Sequence, residues 1–441
     1  MNTSKPLNFL FTTIDAGGNV APIMTVVSKL IARGHRVRVM SDLASRPEVE
    51  AAGARFVSWK NAPSKPDRSR EAELMRDWDA KTPEDAMLAV IDLICGQALA
   101  HAEDVIAELD REPADLVVNF DMVLGVMTGC EARGQKLALL STMLSMFPIP
   151  GIPPLGPGLP PAKTDSDRAL LAEIEAGAMA LFDSGLPALN AARSALGLGP
   201  LAHVYDQADC ATIRLLGTAR AFDFPAEVLP DSVRYVGPLI RDPEWTKAWV
   251  SPWKASDKWP LVLVSFSTGF QNHAAVLQRI IDACADLPVR VLVTLGGSIK
   301  REELRPASNT VLVESAPHNE VMPQAALLVT HGGHGTVSTG LVHRLPMLVI
   351  PHGRDQGDNA IRITERGAGL SLPPSATTDE ICNAIRRLLS EPAFREGARK
   401  LGDAVAAEVA NSRVIEELEA AARTAIPSAT LDHVEGESTH A

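Results

Sequence analysis

The sequence predicts an α/β protein built from two Rossmann-like halves in tandem. Three observations carry that expectation. Short apolar runs alternate with helix-length segments from residue 7 onward, an unpatterned stretch interrupts them at 241–260, and the same rhythm restarts at 261. Such a rhythm belongs to doubly wound, mostly parallel sheets.

In the first half, 7–12 (LNFLFT) reads as a strand. Residues 23–33 carry apolar side chains at helical spacing and stop before Gly34, and 35–40 (HRVRVM) alternates as a second strand. Segments 116–119 (LVVN) and 136–141 (KLALLS) are later strands with a helix between them. At 148–161 (PIPGIPPLGPGLPP) the density of Pro and Gly excludes helix and central strand, so a long semi-rigid loop is expected. Helical sequence follows to about Leu196, and the first domain is expected over 1–240. Residues 241–260 hold four tryptophans, charges and prolines with little period, and read as an interdomain linker.

In the second half, 261–266 (LVLVSF), 290–295 (RVLVTL), 310–313 (TVLV), 327–330 (LLVT) and 347–350 (MLVI) are strand candidates. Helices are expected at 274–285 and 379–389, and the domain over 261–410. The stretch 392–425 is helical in pattern; within 411–441 the helix ends and a polar tail is expected to be disordered.

Composition narrows the function. The 441 residues include 42 basic and 54 acidic side chains, a net charge of −12, which disfavours nucleic acid and anionic membranes as partners. Aromatic residues make up 4%, too few for base-stacking platforms. The apolar runs look shorter than a membrane span, and Lys5 and Pro6 lead straight into a strand, so a cytoplasmic protein is expected. Five scattered cysteines without a CxxC pair read as buried free thiols, not as a zinc site or disulfide framework.

The strongest local signal is 330–336 (THGGHGT), which follows a strand and opens a helix. Glycines there allow close backbone approach, and a helix N-terminus offers free N–H groups and a positive dipole end to an anion. No carboxylate accompanies the two histidines at ligand spacing, so no metal is expected. Downstream, 351–356 (PHGRDQ) follows the next strand, where Asp355 and Gln356 could hydrogen-bond vicinal hydroxyls. Residues 17–22 (GGNVAP) also join a strand to a helix but lack the GxGxxG order of a nicotinamide-dinucleotide site.

These residues together resemble the family-one glycosyltransferases, of the UDP-glucosyltransferase and macrolide glycosyltransferase type. The match is carried by 331–369, beginning HGGHGT and including GRDQGDN, with 315–318 (SAPH), YVGPLI at 235–240, GNVAP and the RGH at 33–35. It covers about 7–420. The resemblance implies a GT-B fold, two facing Rossmann-like domains with an interdomain cleft, the N-terminal domain for acceptor and the C-terminal one for a nucleotide sugar. It implies inverting transfer to a small, largely apolar natural product, from a UDP- or dTDP-linked co-substrate, without metal or resident cofactor. The last helix is expected to cross back onto the first domain. A homodimer is compatible with the sequence.

By position, His331, Gly333, Gly335 and Thr336 match diphosphate-binding residues, and Ser267 and Thr268 match a second phosphate-contacting turn. Ala316 and Pro317 fall where the base is held, and Asp355 and Gln356 where the sugar is held. Met143, Met146 and Phe147 suit an apolar acceptor wall. Two departures stand out. Asn19 occupies the position of the family's general-base histidine, and an amide takes no proton at useful pH. Thr339 stands where many relatives have a glutamate for the ribose. Asp121, the match to the acid that orients the missing histidine, becomes the expected base or relay, with an ordinary carboxyl value near 4, and Asn19 is expected to hold acceptor or water. The competing expectation is a relative that binds donor without turnover.

Overall fold

The computed structural model describes residues 5–424 except 241–248, 255, 267–270, 272 and 297–298. The expected tail after 427 and most of the charged part of the linker lie outside the described residues.

Seven strands form the first sheet: β1 (Asn8–Thr12), β2 (Arg36–Ser41), β3 (Arg55–Ser58), β4 (Leu116–Phe120), β5 (Leu137–Ser141), β6 (Ile213–Leu216) and β7 (Val233–Tyr235), in the order β3-β2-β1-β4-β5-β6-β7. Six form the second: β8 (Leu261–Ser265), β9 (Arg290–Thr294), β10 (Thr310–Val313), β11 (Ala325–Thr330), β12 (Met347–Val349) and β13 (Gly369–Ser371), in the order β10-β9-β8-β11-β12-β13. Every pairing is parallel. Parallel strands are buried on both faces, so the central ones are continuous apolar runs; all five residues of LVLVS in β8 are buried.

Each sheet reverses its order once, between β1 and β4 and between β8 and β11. Ligands of open parallel sheets bind beyond the carboxyl ends of the strands at such a reversal. In the first sheet the Thr12 hydroxyl donates to the Asn119 side chain at 2.8 Å across that reversal, which fixes the ends of β1 and β4 together.

Strands β3, β7 and β13, at sheet edges, and β6, next to one, were not expected. They are three or four residues long and their sequences (RFVS, IRLL, VRY, GLS) mix in charge or glycine. The helical stretch from 392 is two helices, Pro392–Ala410 and Val414–Arg423. The second returns to the first domain. Val414, Ile415, Leu418, Ala421 and Ala422 join the core of Phe9, Leu10, Val26 and Leu116, and His35 meets Glu419 at 2.9 Å.

One described stretch, Glu84–Arg111, is long and apolar enough to cross a membrane by length and composition, which the sequence reading did not anticipate. In the fold it is two helices, Pro83–Gly96 and Ala98–Arg111, and the second puts Ala98, Ala102, Val105 and Leu109 into the interior. The five cysteines are free.

Candidate functional site

The carboxyl ends of β8, β11 and β12 carry the residues singled out at 330–336 and 351–356. After β11 the chain turns through Gly332, whose φ of +100° suits glycine, and opens the helix His334–Val342 with Gly333 as its N-cap. A Cβ on Gly333 would stand 2.7 Å from His331 Nε2, so the imidazole lies directly over this helix start. Backbone N–H groups, the dipole end and the ring thus converge on one small volume, an arrangement suited to a phosphate oxygen. Gly335 is exposed and Thr336 half-buried in that first turn. Ser267 and Thr268 lie outside the described residues.

Asp355 is the N-cap of the helix Gln356–Glu365. The residue that joins this helix to the glycine turn is Asn359, which is fully buried and which sequence reasoning missed. Its amide nitrogen donates to the Gly332 carbonyl and to the Asp355 carboxylate, both at 2.9 Å, and its carbonyl oxygen accepts from His334 Nδ1 at 3.1 Å. Burial raises the Asp355 carboxyl above its ordinary value and lowers the His334 imidazole. Gln356 is buried; its side-chain oxygen accepts from the His352 amide at 2.7 Å and its nitrogen donates to Gln271 at 3.1 Å. The Thr339 hydroxyl donates to the Gly335 carbonyl at 2.8 Å, inside its own helix. Ala316 and Pro317 are buried beneath β8, where His318 meets Ser265 at 3.0 Å.

Across the cleft, Asp121 follows β4 and is 1% exposed. One oxygen accepts from the Ser141 hydroxyl at the end of β5; the other has no hydrogen-bond partner among the described residues. Burial pushes its carboxyl up to about 7, against the opposing pull of the Ser141 bond and of Arg214. The ordinary value near 4 expected from sequence is therefore corrected: enclosure raises this carboxyl toward neutral pH. The Arg214 guanidinium lies 5.2 Å from the centre of the Phe147 ring, which carries the polar site into the apolar wall. Met146 and Phe147 are buried beside Leu144, Ile149, Tyr205 and Met179 along a narrow cleft, while Met143 is half-buried and outside it.

Asn19 is placed differently from expectation. Its nitrogen donates to the Thr13 hydroxyl at 2.9 Å and to the Ile14 carbonyl at 2.7 Å, and its oxygen accepts from Ala16 N–H at 3.1 Å. Both amide hydrogens are committed to the loop after β1. Asn19 shapes that loop and has no hydrogen left for an acceptor.

The two half-sites face each other. A Cβ on Gly17, in the loop after β1, would lie 3.5 Å from the Arg354 guanidinium, and Arg354 precedes Asp355. The proline-rich loop is fastened to the opposite domain, Gly156 and Gly158 N–H donating to Asp358 at 2.8 and 3.1 Å.

A family model described as the C-terminal domain of the erythromycin biosynthesis protein CIII-like family matches residues 278–421. Over 418 residues the chain is 30% identical to 4'-demethylrebeccamycin synthase of Lentzea aerocolonigenes, covering 90% of this chain and 95% of that one. The chain belongs to this family of antibiotic glycosyltransferases. It is also 28% identical over 420 residues to demethyllactenocin mycarosyltransferase of Streptomyces fradiae, covering 90% and 85%. Among solved structures, the glycosyltransferase fold is matched by the calicheamicin glycosyltransferase CalG4, with a TM-score of 0.73, 22% identity and coverage of 95% and 98%. The glycosyltransferase VinC in complex with dTDP matches with a TM-score of 0.68, 20% identity and coverage of 94% and 99%. These neighbours share the two-domain GT-B architecture.

Proposed function

We propose that this glycosyltransferase moves a sugar, with inversion, from a nucleoside diphosphate sugar to a small natural-product acceptor in the cytoplasm, and that Asp121 is its base. The observation that carries the reading is the approach of the Arg354 guanidinium to Gly17, which turns the carboxyl ends of both sheets toward one cleft. The diphosphate would sit at the Gly333 helix start under His331, the sugar hydroxyls against Asp355 and Gln356, and the base of the nucleotide beside Ala316 and Pro317. The named relatives support small antibiotic-type acceptors, and the dTDP bound in VinC supports a pyrimidine nucleotide.

In the proposed step, an acceptor O–H or N–H gives its proton to the unpartnered oxygen of Asp121. The acceptor atom bonds the anomeric carbon as the bond to the diphosphate oxygen breaks on the opposite face. The nucleoside diphosphate departs with that electron pair. A carboxylate with a value near 7 is suited to a phenol, an enol or a ring N–H.

Mass spectrometry of products from UDP- and dTDP-sugars with a panel of aromatic and macrolide acceptors tests the reading. A product from the wild type and none from Asp121→Asn supports it. Transfer at the wild-type rate by Asp121→Asn removes Asp121 from the mechanism.

A further inference from the structure

Three imidazoles gather where the diphosphate is placed. His273 is the N-cap of the helix Ala274–Cys284, which follows β8; His331 follows β11 and His352 follows β12. The His273 ring lies 4.5 Å from that of His352 and 5.7 Å from that of His331, centre to centre, and all three pack around Phe266 at 5.1, 5.8 and 6.0 Å. His273 is 2% exposed, and neither of its ring nitrogens has a hydrogen-bond partner among the described residues. A buried polar group left unpaired destabilises the fold, so such a group in a ligand cleft asks for a role.

His352 adds a second constraint. Its Nδ1 faces the Ile350 carbonyl at 2.8 Å, which fixes the proton on that nitrogen. In a neutral ring Nε2 is then a lone pair, repulsive to an anion, and serves one only after gaining a proton. Nothing in the sequence signature requires a histidine at 273 or 352.

We propose that His273 and His352 complete, with His331, a histidine pocket for the donor's diphosphate, and that filling the pocket takes up protons. The proposal rests on the donor reading above and deepens it. Burial holds His273 down at about 2 and His331 at about 3, and lowers His352. Mutual repulsion and Arg354 add to this for His273 and His331, and Arg279 for His352. Arg354 itself is faced by Asp77, Glu73 and Asp355. Burial therefore favours the neutral rings. A diphosphate carries two negative charges into the same volume and reverses the balance. The leaving group, which gains charge as the glycosidic bond forms, then departs against imidazolium N–H groups.

Calorimetry of the full chain with dTDP-glucose and with UDP-glucose, without acceptor, tests this. Neither sugar nucleotide has a phosphate group that titrates near neutrality, so any proton change belongs to the protein. Titrations in buffers of different ionisation heat should show proton uptake. The better ligand should bind about tenfold more tightly at pH 6 than at pH 8, either side of the ordinary imidazole value of about 6.5. His273→Gln, which keeps a donor and cannot titrate, should reduce the uptake and flatten the pH slope. His273→Leu should keep or raise the melting temperature of the empty protein while weakening sugar-nucleotide binding. Binding without proton uptake, or wild-type affinity and slope in His273→Gln, overturns the proposal. Failure of both sugar nucleotides to bind the wild type overturns the donor reading itself.

Discussion

Arg354 grips Asp77 through two hydrogen bonds, Nε to one carboxylate oxygen at 2.7 Å and a terminal nitrogen to the other at 3.0 Å, across 277 residues of sequence. Arg354 holds a φ of +55°, a conformation non-glycine residues seldom adopt. Asp77 belongs to a strap that begins with Lys65, a buried lysine bonded to the Asp15 carbonyl at 3.1 Å and to Glu73 at 2.8 Å. The strap thus ties the loop after β1 to the loop that precedes the helix Gln356–Glu365 in the second domain.

Cutting that tie should loosen the closed cleft. Asp77→Asn removes one charge of a partly exposed pair, so the expected stability loss is small, about 1 kcal/mol or less. Transfer should slow several-fold, while affinity for the free nucleoside diphosphate stays near wild type. Steady-state kinetics beside nucleotide titration separates the two, and equal loss of both would place the strap's effect in the donor pocket.

Asp121 should set the acid limb of the pH profile. Activity should rise through an apparent value near 7 as the carboxylate forms, and Asp121→Asn should lose transfer at every pH. Stability runs the other way. The folded value is raised above the unfolded one of about 3.9, so this acid costs stability increasingly as pH rises from about 4 to about 7, and the cost is flat above. The Asn variant should gain on the wild type across that window, by an amount on the order of 2 kcal/mol or more at pH 8. Denaturant unfolding at pH 4 and pH 8 reads the difference; a gain at pH 4 as large as at pH 8 would contradict the burial argument.

Asn359 and Asp355 should differ in kind. Asp355→Ala is expected to slow transfer and spare affinity for the free nucleotide. Asn359→Ala strips partners from Gly332, His334 and Asp355 at once. It should lower unfolding stability by about 2–4 kcal/mol and weaken nucleotide binding and transfer together. Thermal unfolding with nucleotide titration checks both; intact binding in the Asn359 variant would mean the turn holds its shape unaided.

The proline-rich loop should control the acceptor alone. Gly158 has a φ of +66°, and a Cβ there would stand 2.9 Å from the Gly357 carbonyl carbon. Gly158→Ala forces the loop off the helix, at a local cost of about 1–3 kcal/mol. The acceptor KM should rise while the donor KM holds. A donor KM that rises in step would assign the loop to both substrates.

How much of this was legible beforehand follows from what each residue type reveals alone. Strands β1, β8 and β11 are apolar on both faces and announce themselves as runs. Strands β3, β6, β7 and β13 are only three or four residues long, interrupted by charge or glycine, and were hidden. The glycine turn at 332–335 was readable because backbone geometry selects glycine, and the loop at 148–161 because proline forbids alternatives. Asn359 looks like any polar helix residue; its importance comes from burial between two motifs. Asn19 was recognised by position, but its engagement with Thr13 and Ile14 depends on how the loop after β1 folds. The raised carboxyl of Asp121 is a property of its enclosure and has no sequence signature. His273 and Phe266 meet His331 and His352 only because β8, β11 and β12 lie side by side.

The return of the helix Val414–Arg423 to the first domain has a consequence for biosynthesis. Its five apolar side chains close the interior around Phe9 and Leu116, so the domain that emerges first is finished by a helix that follows the whole second domain. At translation rates of roughly 5–20 residues per second, the seam it covers stays open for on the order of ten to forty seconds after β7 leaves the ribosome. During that interval the second domain, whose own interior needs nothing from this helix, can assemble beside an incomplete neighbour. The molecule therefore completes its first domain and ties it to the second in one late event, when the chain folds back toward its first strand.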